Sequence, residues 1–340
     1  QEGNVEVVKL LAARGADIDH TTDDDGDHPV WIAAQNGHTE VVRLLAELGA
    51  KLDQPTTDDG ATPLYIAATQ GFADVVELLA DKSANLNVQC FDDGTTPLFK
   101  ACQNGHVSVV KLLLARRADF TLSTRGGGFG FHALHAATQN HHTEVLRLLL
   151  DHDVPVNQRT VDVHQWTAVL LASYCGHDDM IQLLHKHEAD LQCTTAGAEH
   201  FGAIFMAAQN GKSSTIQVLA RYGVDVHCRS AATCTTPLHA AAGDGHLDAC
   251  KVLLAMGAAA AAEDYEGLTA LQFATKRLAD ESQPERRAEV EVTCRWMARF
   301  ASRAEEEDGR SDESLADLRA SVCPIDHPLE FAAAARLPSI

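Results

Sequence analysis

The stretch DDGATPLYIAATQGFADVVELLADKSANLN, residues 58–87, decides the fold. It sets Asp-Asp-Gly before Thr-Pro-Leu, then two short apolar runs split by a glycine. DDDGDHPVWIAAQNGHTEVVRLLAELGAKLD (23–53) precedes it and DDGTTPLFKACQNGHVSVVKLLLARRADF (92–120) follows it. A single enzyme site has no use for such repetition, whereas a repeated structural unit does. With the Pro of Thr-Pro-Leu as marker, Pro29, Pro63 and Pro97 stand 34 apart. Ala133, Ala168 and Ala203 then take its place, and Pro237 and Ala270 follow. An alanine lies four residues after every marker, from Ala33 and Ala67 to Ala241 and Ala274.

Each block reads as a turn and a helix pair. Thr62 can cap the first helix, and Pro63 suits its first turn, where no donor is lost. Ala67 is small enough for neighbouring helices to approach. Gly71 ends the helix in a left-handed conformation. Val75, Val76, Leu78 and Leu79 then make an i, i+3, i+4 apolar face. About 34 residues cannot bury that face alone, so the units must stack.

These motifs resemble the ankyrin-repeat family. TPLYIAA (62–68), NGHTEVVRLL (36–45), NGHVSVVKLLLARRAD (104–119) and TPLHAAAGDGHLDACKVLLAMGA (236–258) carry the resemblance. It implies an all-α ankyrin-repeat solenoid of helix–turn–helix units with protruding finger turns, stacked in a curve that binds proteins. The array is expected over 1–303, with repeats near 1–22, 23–57, 58–91, 92–125, 126–162, 163–198, 199–233, 234–266 and 267–303. Residues 126–233 depart from the pattern, since three markers lose the Pro and His141 replaces the turn glycine. PERRAEVEVTCRWMARFASRAEEE (284–307) reads as one helix, expected to serve as the second helix of the last repeat, with Val292, Trp296, Met297 and Phe300 on its apolar face. A charged linker at 304–326 and the start of a further repeat at 327–340 complete the layout. Gln1 opens the sequence, and 1–22 read as a repeat without its first helix, so the chain reads as a fragment of a longer array.

Composition narrows the function. The net charge is −21, from 27 basic and 48 acidic residues, which repels nucleic acid and anionic lipid. No apolar run approaches the ~20 residues of a membrane helix. Nine Cys without a Cys-x-x-Cys fit reduced thiols in the cytoplasm or nucleus.

Motifs that suggest chemistry fail on spacing. NGKSST contains Gly211-Lys212-Ser213, but Met206 stands where a phosphate loop needs its first glycine. TDDDGD resembles a calcium loop, but Ile32 occupies the closing Glu position. His185 with His187, and His141 with His142, are too few for a metal site. Neither a catalytic set nor a cofactor site is expected.

The resemblance places partner contacts on the fingers and first helices. The early fingers offer Asp24, Asp25, Asp27, Asp58, Asp59, Asp92 and Asp93, uninterrupted by Lys or Arg. Later ones offer Phe129, Phe131, Trp166, Tyr174 and Phe201, as interface hot spots favour aromatics. Both sets have a second reading: Asp-Asp-Gly is good turn chemistry by itself, and Phe131, Trp166 and Phe201 could fill space left by the missing Pro. Asn157 and Asn87 are, by resemblance, candidates for asparaginyl hydroxylation. The expected role is a monomeric, non-catalytic scaffold or adaptor for a protein partner with a basic segment. A substrate-recruiting subunit of a ubiquitin ligase, or the ankyrin arm of a longer enzyme or channel, is the alternative. SLADLRASVCP (314–324) lacks the order of a convincing docking box for the former.

Overall fold

The computed structural model describes residues 2–125, 129–280 and 282–307. Seventeen helices and two isolated bridges, Thr194 with Gly202 and Glu263 with Thr269, make up the regular structure of these residues. The chain divides into two compact units, 1–162 and 163 onward.

The first unit opens with α1 (Val5–Ala13). Four helix pairs follow: α2 (Pro29–Gln35) with α3 (Thr39–Glu47), α4 (Pro63–Gln70) with α5 (Ala73–Asp81), α6 (Pro97–Gln103) with α7 (Val107–Ala115), and α8 (Ala133–Gln139) with α9 (Thr143–Asp151). The second unit holds four more: α10 (Ala168–Cys175) with α11 (Asp178–Lys186), α12 (Ala203–Gln209) with α13 (Ser213–Arg221), α14 (Pro237–Gly243) with α15 (Leu247–Ala255), and α16 (Ala270–Asp280) with α17 (Pro284–Glu307). Within each unit, first helices pack on first helices and second on second.

Local chemistry sets the helix starts. Thr62, Thr96, Thr167 and Thr236 are extended at the N-cap, and each hydroxyl accepts from the backbone N–H three residues on, at 3.3, 3.1, 3.3 and 3.4 Å. Helices α8, α10 and α12 begin at the same register without Pro, so the ring helps but does not define the start. The alanine four residues after the marker is fully buried in α4, α6, α8, α10, α12, α14 and α16, where a larger side chain would push neighbouring helices apart. On the second helices, Val75, Val76 and Leu79 are 0 % exposed.

The turn between the two helices explains a recurrent histidine. Gly71 is left-handed, with φ +84°, and a Cβ built on it would stand 2.6 Å from His106 Nδ1 of the next repeat. His106 Nε2–H donates to Thr69 O at 2.9 Å, and His142 and His246 likewise reach Gln103 O and Gln209 O. Each histidine thus clips its repeat to the previous one. Gly71→Ala should therefore cost more than the ~1–2 kcal/mol of a left-handed alanine. Gly49→Ala is the control, with φ +89° but nothing within 4 Å of the added carbon. Equal losses in urea unfolding of the two variants would count against the clip. His141 holds φ +58°, the left-handed conformation expected where it replaces glycine.

At the other end, α17 packs on α14, α15 and α16 as a second helix. Its buried stripe is Val290, Thr293 and Met297. Val292 is 51 % exposed, which corrects the apolar face expected from sequence. Two residues of helix rotate it about 200° from Val290, toward solvent. Trp296 stacks on Phe300 at 5.5 Å beside the buried stripe. Buried Asp244 secures both terminal helices, binding Arg277 of α16 at 3.0 Å and Arg286 of α17 at 3.1 Å. Residues 304–307, expected in the linker, continue α17. The rest of that linker, the 314–324 segment and the 327–340 segment lie outside the described residues.

Candidate functional site

Between helix pairs the chain turns outward as a finger, closed by one backbone bond across its base. Thr56 N–H donates to Ala61 O at 3.1 Å, Cys90 to Thr95 at 3.0 Å and Ser230 to Thr235 at 2.9 Å. Neighbouring fingers are joined in turn. In the first unit Thr57 N–H reaches Asp25 O at 2.9 Å, Phe91 reaches Asp59 O at 2.8 Å and Arg125 reaches Asp93 O at 2.6 Å. In the second, Ala196 reaches His164 O, Ala231 reaches Glu199 O and Tyr265 reaches Thr233 O, all within 2.7–2.8 Å. Side chains on successive fingers are therefore held in fixed register.

The seven acidic candidates fall into two classes. Asp24, Asp25, Asp58 and Asp92 are exposed. Asp59 and Asp93 are half-buried and build the turn: Asp59 Oδ1 accepts from Thr56 Oγ1 at 2.7 Å and Ala61 N–H at 2.9 Å, and Asp93 Oδ1 accepts from Thr95 Oγ1 at 2.6 Å and Thr95 N–H at 2.9 Å. Lys100 of α6 reaches Asp93 Oδ2 at 3.5 Å, so a cation outside the fingers does enter this set. Burial raises the Asp93 pKa, but the Thr95 donors and Lys100 outweigh it and leave the carboxyl below its ordinary range. Asp27 behaves oppositely. Burial first, then the charges of Asp25, Asp58 and Asp59, hold its pKa above the ordinary value. Like charges from adjacent fingers thus meet at Asp27.

The aromatic candidates do not form an outward strip. Phe131 is 2 % exposed and Trp166 8 %, while Phe129, Tyr174 and Phe201 are half-buried. Each ring folds onto its own first helix. Phe131 stacks on His135 at 5.8 Å, Trp166 meets Tyr174 edge-on at 5.5 Å, and Phe201 stacks on Phe205 at 4.4 Å. A ring two residues before a helix start finds apolar surface one or two turns along, and burial there outweighs projection into water. This corrects the reading of Phe131 and Trp166 as exposed contacts. Phe129 lies beside Phe131, with ring centroids 5.4 Å apart.

Asn87 and Asn157 are exposed and follow second helices. Asn87 Oδ1 accepts Asp119 N–H at 2.8 Å, bridging two repeats as Asp19 does to Lys51 and Asp53 to Asn85. Lys212, from the rejected phosphate-loop motif, occupies the clipping histidine's position. It is 2 % exposed beside Gly176, and burial lowers its pKa.

A sequence profile described as ankyrin repeats, in three copies, matches residues 1–90, 54–124, 119–195 and 204–282. The chain belongs to the ankyrin-repeat family. Comparison with curated proteins finds no match. Ankyrin repeats commonly mediate protein–protein interaction and are typically non-catalytic. Among the described residues no helix is long and apolar enough to cross a membrane, and no group of three His, Cys, Asp or Glu is placed to hold a metal. Two exposed aromatic finger residues escaped the sequence reading, Phe91 at 63 % and Tyr265 at 81 %. Both sit next to finger carboxylates, Asp92 and Asp264. An aromatic followed or preceded by a finger carboxylate was the signal.

Proposed function

We propose that this ankyrin array is a non-catalytic adaptor that captures a protein partner through a basic segment of that partner. The observation that carries this reading is the register of the first-unit fingers. The backbone ladder fixes exposed Asp24, Asp25, Asp58 and Asp92 on consecutive turns, and burial, together with charges from two of those turns, raises the Asp27 pKa. Fields from aligned like charges add, which speeds the approach of a cation more than it tightens the final complex. The half-buried Asp59 and Asp93 shape the turns, and the four exposed carboxylates provide the field.

Replacing those four by Asn should slow association with a lysine-rich 12-residue peptide about tenfold at low salt, with the dissociation rate little changed. Stopped-flow anisotropy at two ionic strengths reads both rates. An on-rate that neither the substitutions nor salt alters would remove the finger reading.

A further inference from the structure

The second unit contains a groove that the acidic fingers do not explain. It has a volume of about 380 Å³ and lies between the fingers at Glu199, Thr233 and Tyr265 and the first helices α12, α14 and α16. That volume falls in the roughly 300–1,000 Å³ range of small-ligand clefts. Phe201, Phe205 and Phe273 line it, and Tyr265 stands at its finger edge.

Its charges do not cancel. Arg277 is held by Asp244 at 3.0 Å, and Lys276 is paired with Glu266. Asp264 Oδ1 accepts the N–H groups of Glu266 and Leu268, each at 2.9 Å, and so serves its own turn. Glu199 differs: its carboxylate meets only the Thr233 hydroxyl, at 3.2 Å, and no cation among the described residues. The groove thus presents aromatic faces beside a carboxylate lacking a counter-charge.

We propose that this groove receives an arginine side chain, flanked by apolar residues, from a protein partner. A guanidinium is flat, stacks on aromatic faces and can bind a carboxylate through two parallel N–H donors. Glu199 supplies the carboxylate, Tyr265 and Phe201 the faces, and Phe273 the apolar wall for a flanking residue. An anionic ligand such as a phosphate would meet Glu199 and a chain of net charge −21. A purely apolar ligand would bury Glu199 without a partner. The ligand class rests on the protein-binding reading, but the site is independent of the acidic fingers.

The test uses the full chain and a fluorescent peptide, acetyl-Gly-Ser-Leu-Arg-Leu-Ser-Gly-amide, with a photo-crosslinking leucine. A citrulline peptide keeps the shape and removes the charge, and a lysine peptide keeps the charge and removes the fork. The arginine peptide is expected to bind about tenfold tighter than the citrulline peptide, with lysine between them, and to crosslink within 199–209 or 264–277. Glu199→Gln should erase the arginine preference, and Tyr265→Ala should weaken binding about fivefold. Asn at Asp24, Asp25, Asp58 and Asp92 should leave both results intact. Equal affinity for arginine and citrulline, crosslinks confined to 24–93, or no binding at about 1 mM peptide would each overturn the groove assignment. Crosslinks at 24–93 would do so while supporting the finger reading; loss of finger binding with the groove result intact would do the reverse.

Discussion

Trp166→Ala should lower the stability of the second unit by about 3–5 kcal/mol, the range for emptying a large aromatic site in a core. The ring is 8 % exposed and meets Tyr174 edge-on, so its loss removes both burial and an aromatic contact. An anchor waiting for a partner would give the opposite pattern, with a large affinity loss and little change in folding. Urea unfolding of this variant, followed by circular dichroism, separates the two. A stability loss below about 1 kcal/mol would show that the ring is not a core element.

Acid should unfold both units well above the carboxylate range. Burial lowers the pKa of His28 and His132 in the first unit and of His239 and His246 in the second. Below about pH 6.5 the unfolded chain then binds protons that the folded chain refuses, so stability falls as pH drops from 6.5 toward the folded values. Each neutral imidazole contributes a slope of at most about 1.4 kcal/mol per pH unit, hence up to about 3 for the pair in each unit. His239 shows the structural reason. Its Nε2–H donates to Leu268 O at 2.9 Å, while Nδ1 accepts from Thr236 N–H and faces its hydroxyl at 2.8 Å. A proton on Nδ1 removes that acceptor. Urea midpoints at pH 7.5 and 5.5 measure the effect. His28→Thr, which installs the cap found at Thr62 and Thr96, should shrink it in the first unit and add about 1 kcal/mol at neutral pH. Identical midpoints at the two pH values would refute the assignment.

The repeat was legible because local chemistry and burial agree from block to block: a small residue at the helix crossing, a left-handed turn and an apolar second face, with a threonine cap at the starts of α4, α6, α10 and α14. Position 292 was misread because the helical phase of α17 is set by which residues reach Gly245 and α15, and spacing alone does not reveal that. The site was less legible for a related reason. Asp59 and Asp58 are neighbours of the same type, yet one closes the turn and the other faces water. Trp166 looks like a finger residue in sequence, but its ring lies along α10. Glu199 attracted no notice because its significance depends on which cations are already engaged by Asp244 and Glu266. Such accounting exists only once the helices are packed.

The finger ladder has a genetic consequence. Its donor and acceptor are separated by the same 32 residues at each early step, 25 to 57, 59 to 91 and 93 to 125. Removing 34 residues, 59–92, would put Asp93 after Asp58, in the place of Asp59, with its carbonyl still opposite Arg125. Gly37 would then face His106, a glycine–histidine pairing already present elsewhere in the array. No buried donor is stranded at the seam. Slippage between homologous DNA segments can therefore shorten or lengthen this gene by whole units and return a protein that still folds, whereas a loss of 33 or 35 residues puts the bonds that span the seam out of register by one position.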